Sequence, residues 1–300
     1  MTSGFADLHR HLDGSIRPST LTELASRCGK SVPEELAFFP DMGLEAALSR
    51  FAFTLSLLQD PATVERVAHE ICEDAEAEGV TTLEIRFAPQ LHAGGTPAVV
   101  VDAALSGIAR RAGLILCGLY GEPPGLLHRL VDIARTRPGA VGIDLAGGPA
   151  PQHRWSMGDY APAFSAAKSA DLGRTVHAGE GRPAAEIRMA VEQLHAQRVG
   201  HGLTVLDDPS VADLLRTRDI TIEACPTSNW HVGAIPTVPD HPLPQWLNAG
   251  LKVCINTDNT LLSRTSAPLE HGRVAQMPGI TPSGIQTLID NGHAARFPST

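Results

Sequence analysis

Short apolar segments alternate with longer amphipathic segments along most of this chain. The apolar segments rarely alternate with polar residues, which is typical of parallel strands covered on both faces. Eight strands are predicted in this way, over residues 5–9, 81–89, 114–120, 140–148, 174–180, 197–202, 219–226 and 251–258. Eight strands with helices between them predict a (β/α)8 barrel of the TIM type, with a doubly wound open sheet as the competing architecture.

The amphipathic segment before the second strand carries the clearest helix signals. Asp60 suits the N-cap, Pro61 suits the first helical position, and Gly79 suits the position just after the helix. Glycines occur just before five of the predicted strands, at positions 79, 113, 139, 173 and 250. This recurrence is typical of βα units in which a glycine ends each helix before the next strand.

No linker, low-complexity segment or sequence repeat divides the 300 residues, so we expect one domain spanning residues 1–300. The composition, 43% hydrophobic and 19% charged, is ordinary for a globular protein. The net charge of −9 comes without a basic patch, which makes nucleic acid and anionic membranes poor partners.

Five cysteines are scattered along the chain without a CxxC pair, which argues against a disulfide framework and against a cysteine zinc site. Reduced thiols fit the cytoplasm best. The first residues, MTSGFADLHR, lack the features of a signal peptide, and no apolar run approaches the length of a membrane span. We therefore expect a cytoplasmic protein, either a monomer or a homodimer.

Polar residues with catalytic potential fall at the same end of successive predicted strands. His9 and His11 are two residues apart in the first strand, so their side chains share one face. The ends of later strands carry Gly147, His177, Glu180, His201, Asp258 and Asn259. The carboxyl ends of barrel strands meet at one mouth, where active sites form. A buried structural histidine is the simpler interpretation for any one of these residues, but not for the whole set.

This set contains the donors of a metal site. Three histidines and one aspartate suit zinc, with water completing the coordination. Iron, cobalt or manganese could occupy the same ligands, so the residue types predict a metal site more firmly than they identify the metal. Zinc lowers the pKa of a bound water towards about 7, which provides hydroxide near neutral pH.

Six motifs of the chain resemble those of the adenosine deaminase family within the amidohydrolase superfamily, and they occur in the same order. The resemblance extends from about residue 5 to residue 291. HxH is a weak signal by itself, whereas HAGE, GHG and a late NTD together are highly specific. The motifs are HRHLDGS (9–15), GIDLAGG (142–148), TVHAGE (175–180), RVGHG (198–202), CPTSN (225–229) and NTDN (256–259).

The resemblance implies specific roles at the metal centre. Glu180 matches the acid that protonates purine N1, and His201 matches the residue that orients and deprotonates the attacking water, with Asp258 beside it. The resemblance implies one zinc ion per chain, with the ligands His9, His11, His177 and Asp258. Nucleic-acid editing deaminases use H-x-E and P-C-x-x-C motifs instead, and neither pattern occurs here.

The resemblance also implies how a purine nucleoside is held. Gly147 matches a backbone donor to purine N3, and Asp13 matches the acceptor of the ribose 5′-hydroxyl. Asn259 stands where many members have aspartate, and its amide can donate to purine N7 at any pH. Gly148 and Pro149 stand where an acidic pair is common in the family. This departure concerns a contact made by the loop and not the metal centre. The expected substrate-binding residues are His11, Asp13, Gly147 and Asn259.

An insertion after the first strand, at about residues 30–60, is expected to form a helical lid over the pocket, as in the family; the alternative is a helix pair packed on the barrel surface. It holds four of the eight phenylalanines, Phe38, Phe39, Phe51 and Phe53. Arg86, near the end of the second strand, either points into the site or forms a structural ion pair. A last helix is predicted near residues 281–291.

The predicted activity is zinc-dependent deamination of adenosine or 2′-deoxyadenosine to inosine or 2′-deoxyinosine and ammonia. Deaminases of adenine, aminodeoxyfutalosine or another 6-aminopurine are the close alternatives, and a non-catalytic purine-binding relative is a third. Asp13 favours a free 5′-hydroxyl, because a 5′-phosphate beside its carboxylate would be repelled. Aminodeoxyfutalosine, with its bulky 5′ substituent, stays open.

Overall fold

The computed structural model describes residues 4–148, 150 and 152–298. Within this part of the chain, eight parallel strands pair in sequence order in a single sheet, which confirms the predicted (β/α)8 architecture. A doubly wound sheet would not keep sequential order. The strands are β1 (Phe5–His11), β2 (Val80–Phe87), β3 (Gly113–Leu119), β4 (Ala140–Ala146), β5 (Gly173–Ala178), β6 (Arg198–His201), β7 (Thr221–Ala224) and β8 (Lys252–Ile255).

The barrel closes where β1 meets the segment just after β8. The His11 amide donates to the Asp258 carbonyl at 2.8 Å, and the Asp258 amide donates to the His9 carbonyl at 2.8 Å. These bonds bring residues from the two ends of the chain to the same mouth of the barrel. Closure therefore places three of the predicted metal ligands side by side.

Helices cover the outside of the barrel, and the main hydrophobic core lies between them and the strands. No helix within the described ranges is long and apolar enough to cross a membrane. The helices are α1 (Pro18–Arg27), α2 (Leu44–Leu55), α3 (Pro61–Ala77), α4 (Pro97–Ile108), α5 (Pro124–Ala134), α6 (Ala161–Ser169), α7 (Ala184–Glu192), α8 (Pro209–Thr217), α9 (Pro226–His231), α10 (Leu243–Asn248), α11 (Ala267–Ala275) and α12 (Pro282–Ala295).

Helix α3 begins and ends as predicted. The Asp60 carboxylate accepts the Ala62 amide at 3.3 Å, Pro61 is the first helical residue, and Gly79 takes a φ of +80° just before β2. The prediction that a glycine ends each helix before the next strand was wrong at two other positions. Gly113 and Gly173 are the first residues of β3 and β5, so they begin strands rather than end helices.

The predicted insertion lies between α1 and α3 and contains one helix, α2. Phe38 is buried, Phe51 and Phe53 are half-buried, and Phe39 is 47% exposed. Phe38 belongs to the core of the barrel, and Phe51 and Phe53 pack against that core. The insertion is therefore anchored by its aromatic residues.

The last helix, α12, runs to Ala295, four residues beyond its predicted end. Phe297 follows it and lies at the amino-terminal end of the barrel, in a small core with Ile115 and Val141. The Arg198 guanidinium carbon lies 3.6 Å from the centre of the Phe297 ring. The C-terminal segment thus closes the end of the barrel opposite the predicted site.

This closure predicts that Gly173→Ala destabilises the fold. A Cβ at residue 173 would overlap the Phe297 ring, and overpacking of this kind costs about 1–3 kcal/mol. Gly272→Ala in α11 is the matched control, since a Cβ there meets no atom within 4 Å. Urea unfolding of both variants checks the prediction. Equal stability of the two variants would show that Phe297 does not occupy this position in solution.

Candidate active site

A cavity of about 660 Å³ opens at the carboxyl ends of the strands. All of the predicted site residues except His9 line this cavity, and His9 is fully buried next to them. Three residues predicted within strands lie beyond them in the structure. β4 ends at Ala146, β5 at Ala178 and β8 at Ile255, so Gly147, Glu180 and Asp258 sit in the loops that follow. Residues lining the cavity include His11, Asp13, Gly147, His177, Glu180, His201, Asp258 and Asn259.

Four potential metal-binding atoms converge at the base of this cavity. The Nε2 atoms of His9 and His177 lie 3.1 Å apart, and those of His11 and His177 lie 3.3 Å apart. Asp258 Oδ1 is 3.8 Å from His9 Nε2 and 3.5 Å from His11 Nε2. Tetrahedral zinc with bonds of 2.0–2.1 Å requires ligand atoms about 3.3 Å apart. These four separations are close to that value. Within the described residues, the donor triples whose atoms all lie within 4.8 Å of one another are His9 with His177 and His201, and His9 with Cys225 and Asp258, and neither triple includes His11.

The charge state of the histidines suits metal binding. Burial, together with the positive charges of neighbouring histidines and of Arg86, holds the pKa values of His9 and His11 well below the usual range. Burial alone would lower the pKa of His177 too, but the Asp144 carboxylate outweighs it and raises that pKa. Neutral imidazoles are the form that binds metal, so His9 and His11 need lose no proton.

Two carboxylates that the sequence reasoning missed orient these imidazoles. Glu223 Oε2 lies 2.7 Å from Nδ1 of His9, and Asp144 Oδ2 lies 3.0 Å from Nδ1 of His177. Each carboxylate accepts the Nδ1 proton, which leaves Nε2 free to face the metal position. A signal was present, because Asp144 and Glu223 are charged residues within strands that are otherwise nearly apolar.

Two other side chains come near the same position. One ring nitrogen of His201 lies within 4.8 Å of ligand atoms of both His9 and His177, and Cys225 Sγ lies within 4.8 Å of ligand atoms of His9 and Asp258. The Cys225 thiol donates to the Glu223 carbonyl at 3.7 Å, and burial raises its pKa well above the usual range. Cys225 is thus placed as a neutral hydrogen-bond donor.

Glu180 and His201 lie next to each other in the cavity, with His201 Nδ1 3.5 Å from Glu180 Oε1. The Asn229 amide, a third residue missed from sequence, donates to Glu180 Oε1 at 3.2 Å and lies 3.0 Å from Nδ1 of His201. Burial raises the pKa of Glu180, opposed in part by the charges of His177 and Arg182. Burial lowers the pKa of His201 to about 4. The pair thus contains a carboxyl group able to donate a proton and an imidazole able to accept one.

The backbone at two site residues is strained. His201 has a φ of +67° and Asp258 a φ of +61°, a left-handed conformation that side chains other than glycine rarely adopt. Each such residue costs about 1–3 kcal/mol, and strain of this kind concentrates at functional sites. The surrounding structure therefore has to hold both residues in this conformation.

Two buried polar atoms near the cavity lack partners within the described residues. Asp13 is 7% exposed and its Oδ1 accepts no hydrogen bond, and Oδ1 of Asn259 also has no partner. Burial, with the negative charge of Asp258, raises the pKa of Asp13 to about 7. Gly147 has a φ of +75° and open space on its Cβ side. Unpaired buried polar atoms of this kind are suited to a polar ligand.

The insertion at residues 30–60, the predicted lid, contributes one apolar wall of the cavity. Its lining residues are Phe38, Leu44, Ala47, Leu48, Phe51 and Leu55, with Glu45 among them. A wall of this composition excludes water from a bound ring system. Gly148, in the loop where the sequence departs from the family pattern, also lines the cavity, whereas Pro149 lies outside the described residues.

Arg86 does not line the cavity and instead forms structural ion pairs. Its guanidinium is fully buried and donates to Asp144 and Glu223, each at 2.9 Å. The sequence left two alternatives for Arg86, and the structure shows the ion-pair alternative.

Comparisons with known proteins agree with this geometry. The family model described as adenosine deaminase matches residues 5–299. The adenosine deaminase of Enterococcus faecalis is 32% identical over 310 residues, which cover 97% of this chain and 91% of that protein. An adenosine deaminase of Clostridium perfringens is 33% identical over 311 residues, covering 97% of this chain and 93% of that protein.

Solved structures of other deaminases have the same fold. The adenine deaminase of Arthrobacter aurescens superposes with a TM-score of 0.89 at 25% identity, covering 99% of this chain and 94% of that one. The N6-mAMP deaminase of Arabidopsis superposes with a TM-score of 0.88 at 26% identity, with the same coverage of both chains. From the nearly full-length family match and the identity above 30% to its members, we conclude that this chain belongs to the adenosine deaminase family.

Proposed function

We propose that this protein is a zinc-dependent aminohydrolase that converts adenosine and 2′-deoxyadenosine to the 6-oxo nucleosides and ammonia. The observation that carries the proposal is the convergence of four metal-binding side chains beside the buried Glu180 and His201 in one cavity, with 3.1–3.8 Å between four pairs of their ligand atoms. Family membership supports the same activity, since the relatives compared above are named adenosine deaminases.

The metal site is proposed to hold one zinc ion per chain, with the ligands His9, His11, His177 and Asp258. Three imidazoles and a carboxylate are donors that zinc favours, and four of the separations between their atoms are close to those of tetrahedral zinc ligands. When bound, zinc supplies hydroxide near neutral pH by lowering the pKa of water.

The residues around this site carry the remaining chemistry. Glu180 delivers a proton to purine N1, which removes the negative charge that would develop as C6 loses aromaticity. His201 orients the attacking water and accepts its proton, and Asp258 lies beside the same water. The hydroxyl oxygen adds to C6, the C6–N6 bond then breaks, and N6 leaves as ammonia with the proton that His201 returns. The proton of the C6 hydroxyl passes to Glu180 as the 6-oxo group forms, which restores the acid.

The substrate is proposed to bind through four residues near the cavity wall. The Gly147 amide donates to N3, Asn259 donates to N7, and Asp13 accepts from the ribose 5′-hydroxyl. The unpaired Oδ1 of Asp13 supports this last contact. His11 contacts the substrate from the metal side.

A second candidate is a deaminase of 5′-extended adenosines of the aminodeoxyfutalosine type. The cavity of about 660 Å³, with its apolar lid wall, favours this candidate because it offers room and hydrophobic surface for a bulky 5′ substituent. Adenine would leave Asp13 without a partner. A binding protein without turnover is disfavoured, since Glu180 and His201 are both in place.

A substrate panel tests the proposed function. Ammonia release is measured with adenosine, 2′-deoxyadenosine, adenine, adenosine monophosphate, N6-methyl-AMP and a 5′-extended adenosine. Adenosine or 2′-deoxyadenosine is expected to give the highest kcat/KM. A clear preference for the 5′-extended nucleoside would replace this assignment with the second candidate, and a preference for adenine or a nucleotide would overturn both.

Asp13 makes a quantitative prediction about the 5′ position. A hydrogen bond to a charged group contributes about 1.5–3 kcal/mol. Above pH 7, where the Asp13 carboxyl is ionised, adenosine should therefore exceed 5′-deoxyadenosine in kcat/KM by about 10- to 150-fold. Asp13→Ala should remove most of this preference and leave the zinc content unchanged. Asn259→Ala is the control, since it should weaken both substrates alike. If Asp13→Ala lowers stability but keeps the substrate ratio, Asp13 merely caps its turn.

The chain is also proposed to act as one domain in the cytoplasm, in purine nucleoside metabolism. All five cysteines are free, and four of them are buried, which suits a reducing compartment.

A further inference from the structure

Arg86 contacts three groups that adjoin the proposed metal ligands. Nη1 donates to the Asp144 carboxylate at 2.9 Å, and Nη2 donates to the Glu223 carboxylate at 2.9 Å. Nη2 also donates to the carbonyl of Leu8, the residue before His9, at 2.6 Å. One fully buried side chain on β2 thus ties together β1, β4 and β7.

Each carboxylate that Arg86 binds also holds one imidazole of the metal site. Glu223 Oε2 is 2.7 Å from Nδ1 of His9, and it is the same oxygen that accepts from Arg86. Asp144 accepts from Arg86 through Oδ2, which lies 3.0 Å from Nδ1 of His177, and its other oxygen, Oδ1, makes the hydrogen bond to that Nδ1 at 3.2 Å. A movement of the guanidinium would therefore displace both contacts that fix the imidazoles.

We propose that Arg86 is a positioning residue of the metal site, which sets the orientation of the His9 and His177 imidazoles through Glu223 and Asp144. This inference rests on the proposed function, because it takes these two histidines as metal ligands. Outer partners of this kind raise metal affinity without touching the ion, by fixing the ring orientation of its ligands.

The shape of the guanidinium accounts for an arginine at this position. Its planar fork presents several donors at fixed angles, so one group can hold two carboxylates at once. A lysine would place the same charge on a single ammonium at the end of a flexible chain and could not keep both contacts. Glu223 has a second cation, Arg198, 2.7 Å from its other oxygen. Among the described residues no other arginine or lysine pairs with Asp144. Loss of the Arg86 guanidinium should therefore disturb the orientation of the His177 imidazole more than that of His9.

Zinc binding by Arg86→Lys and Arg86→Gln tests the proposal. The full-length apoprotein is titrated with zinc against a chromophoric chelator, after circular dichroism has verified the fold. We expect zinc affinity to fall by about 10- to 100-fold. We also expect the visible spectrum of the cobalt(II)-loaded protein to change, because that spectrum reports coordination geometry. Neither readout needs a substrate, so failure here is distinguishable from failure of the deaminase assignment.

Arg174→Lys is the matched control. Arg174 is a nearly buried arginine on β5, and it donates to two backbone carbonyls, those of His195 at 2.8 Å and Leu172 at 2.6 Å. This control should lose stability and keep wild-type zinc affinity. The proposal is overturned if Arg86→Lys binds zinc like the wild type, or if the control loses as much affinity. It is also overturned if neither Arg86 variant folds with zinc present while the control does, since Arg86 would then serve the fold itself.

Discussion

Glu180→Gln is expected to lower kcat for adenosine by about 100- to 10,000-fold, the usual contribution of a general acid–base group. Glutamine keeps the shape of the side chain and can still accept from Asn229, whose amide lies 3.2 Å from Glu180 Oε1. It carries no dissociable proton for N1, so the chemical step should fail while binding persists. Steady-state kinetics measures the loss, and zinc analysis should give the wild-type content because Glu180 is not a proposed ligand.

The pH profile distinguishes this role from a structural one. Burial raises the pKa of Glu180, so its proton is retained to higher pH than in an exposed glutamate and is lost as pH rises through that pKa. Wild-type kcat/KM should therefore fall on the alkaline side, and Glu180→Gln should lack this fall. Glu186→Gln, at a neighbouring glutamate that pairs with Arg182 at 2.6 Å, is the control and should keep the wild-type profile. Near-normal turnover by Glu180→Gln would show that another group protonates N1.

His177→Ala is expected to remove metal and activity together. His177 Nε2 lies 3.1 Å from His9 Nε2 and 3.3 Å from His11 Nε2, so it occupies the centre of the proposed ligand set. Loss of a ligand should lower zinc affinity by more than about 100-fold, the upper range for loss of an outer partner. Deamination should fall in parallel. Elemental analysis after dialysis, together with ammonia release, measures both quantities.

His271→Ala is the matched control for that variant. His271 is also buried, but its Nδ1 contacts the Ala267 carbonyl at 2.9 Å, away from the site. The His271→Ala variant should have a lower free energy of unfolding than the wild type and the same zinc content. A His177→Ala protein that retains one zinc per chain would remove His177 from the ligand set.

The sequence was sufficient to predict the barrel and the polar residues at its mouth, because both depend on local patterns. Buried parallel strands are short and apolar, and the carboxyl ends of such strands meet at one mouth. His177 could therefore be placed near His9 although they lie 168 residues apart. Helix α3 could be predicted equally well, because Asp60 and Pro61 mark its start and Gly79 marks its end in the local sequence.

Contacts between distant strands could not be predicted in this way. Arg86 reaches Asp144, 58 residues away, and Glu223, 137 residues away. Which side chains meet inside a barrel depends on the register and stagger of several strands, and a shift of one residue would turn each side chain to the other face. The Asn229 contact with Glu180 and the position of Phe297 under Arg198 have the same long-range origin.

The most direct test of the account is a zinc titration of the apoprotein with ammonia release from adenosine as the readout. The account predicts no activity without metal, a linear rise with added zinc and saturation at one zinc per chain. Saturation at two zinc ions per chain, or full activity in the metal-free protein, would contradict the proposed site of His9, His11, His177 and Asp258.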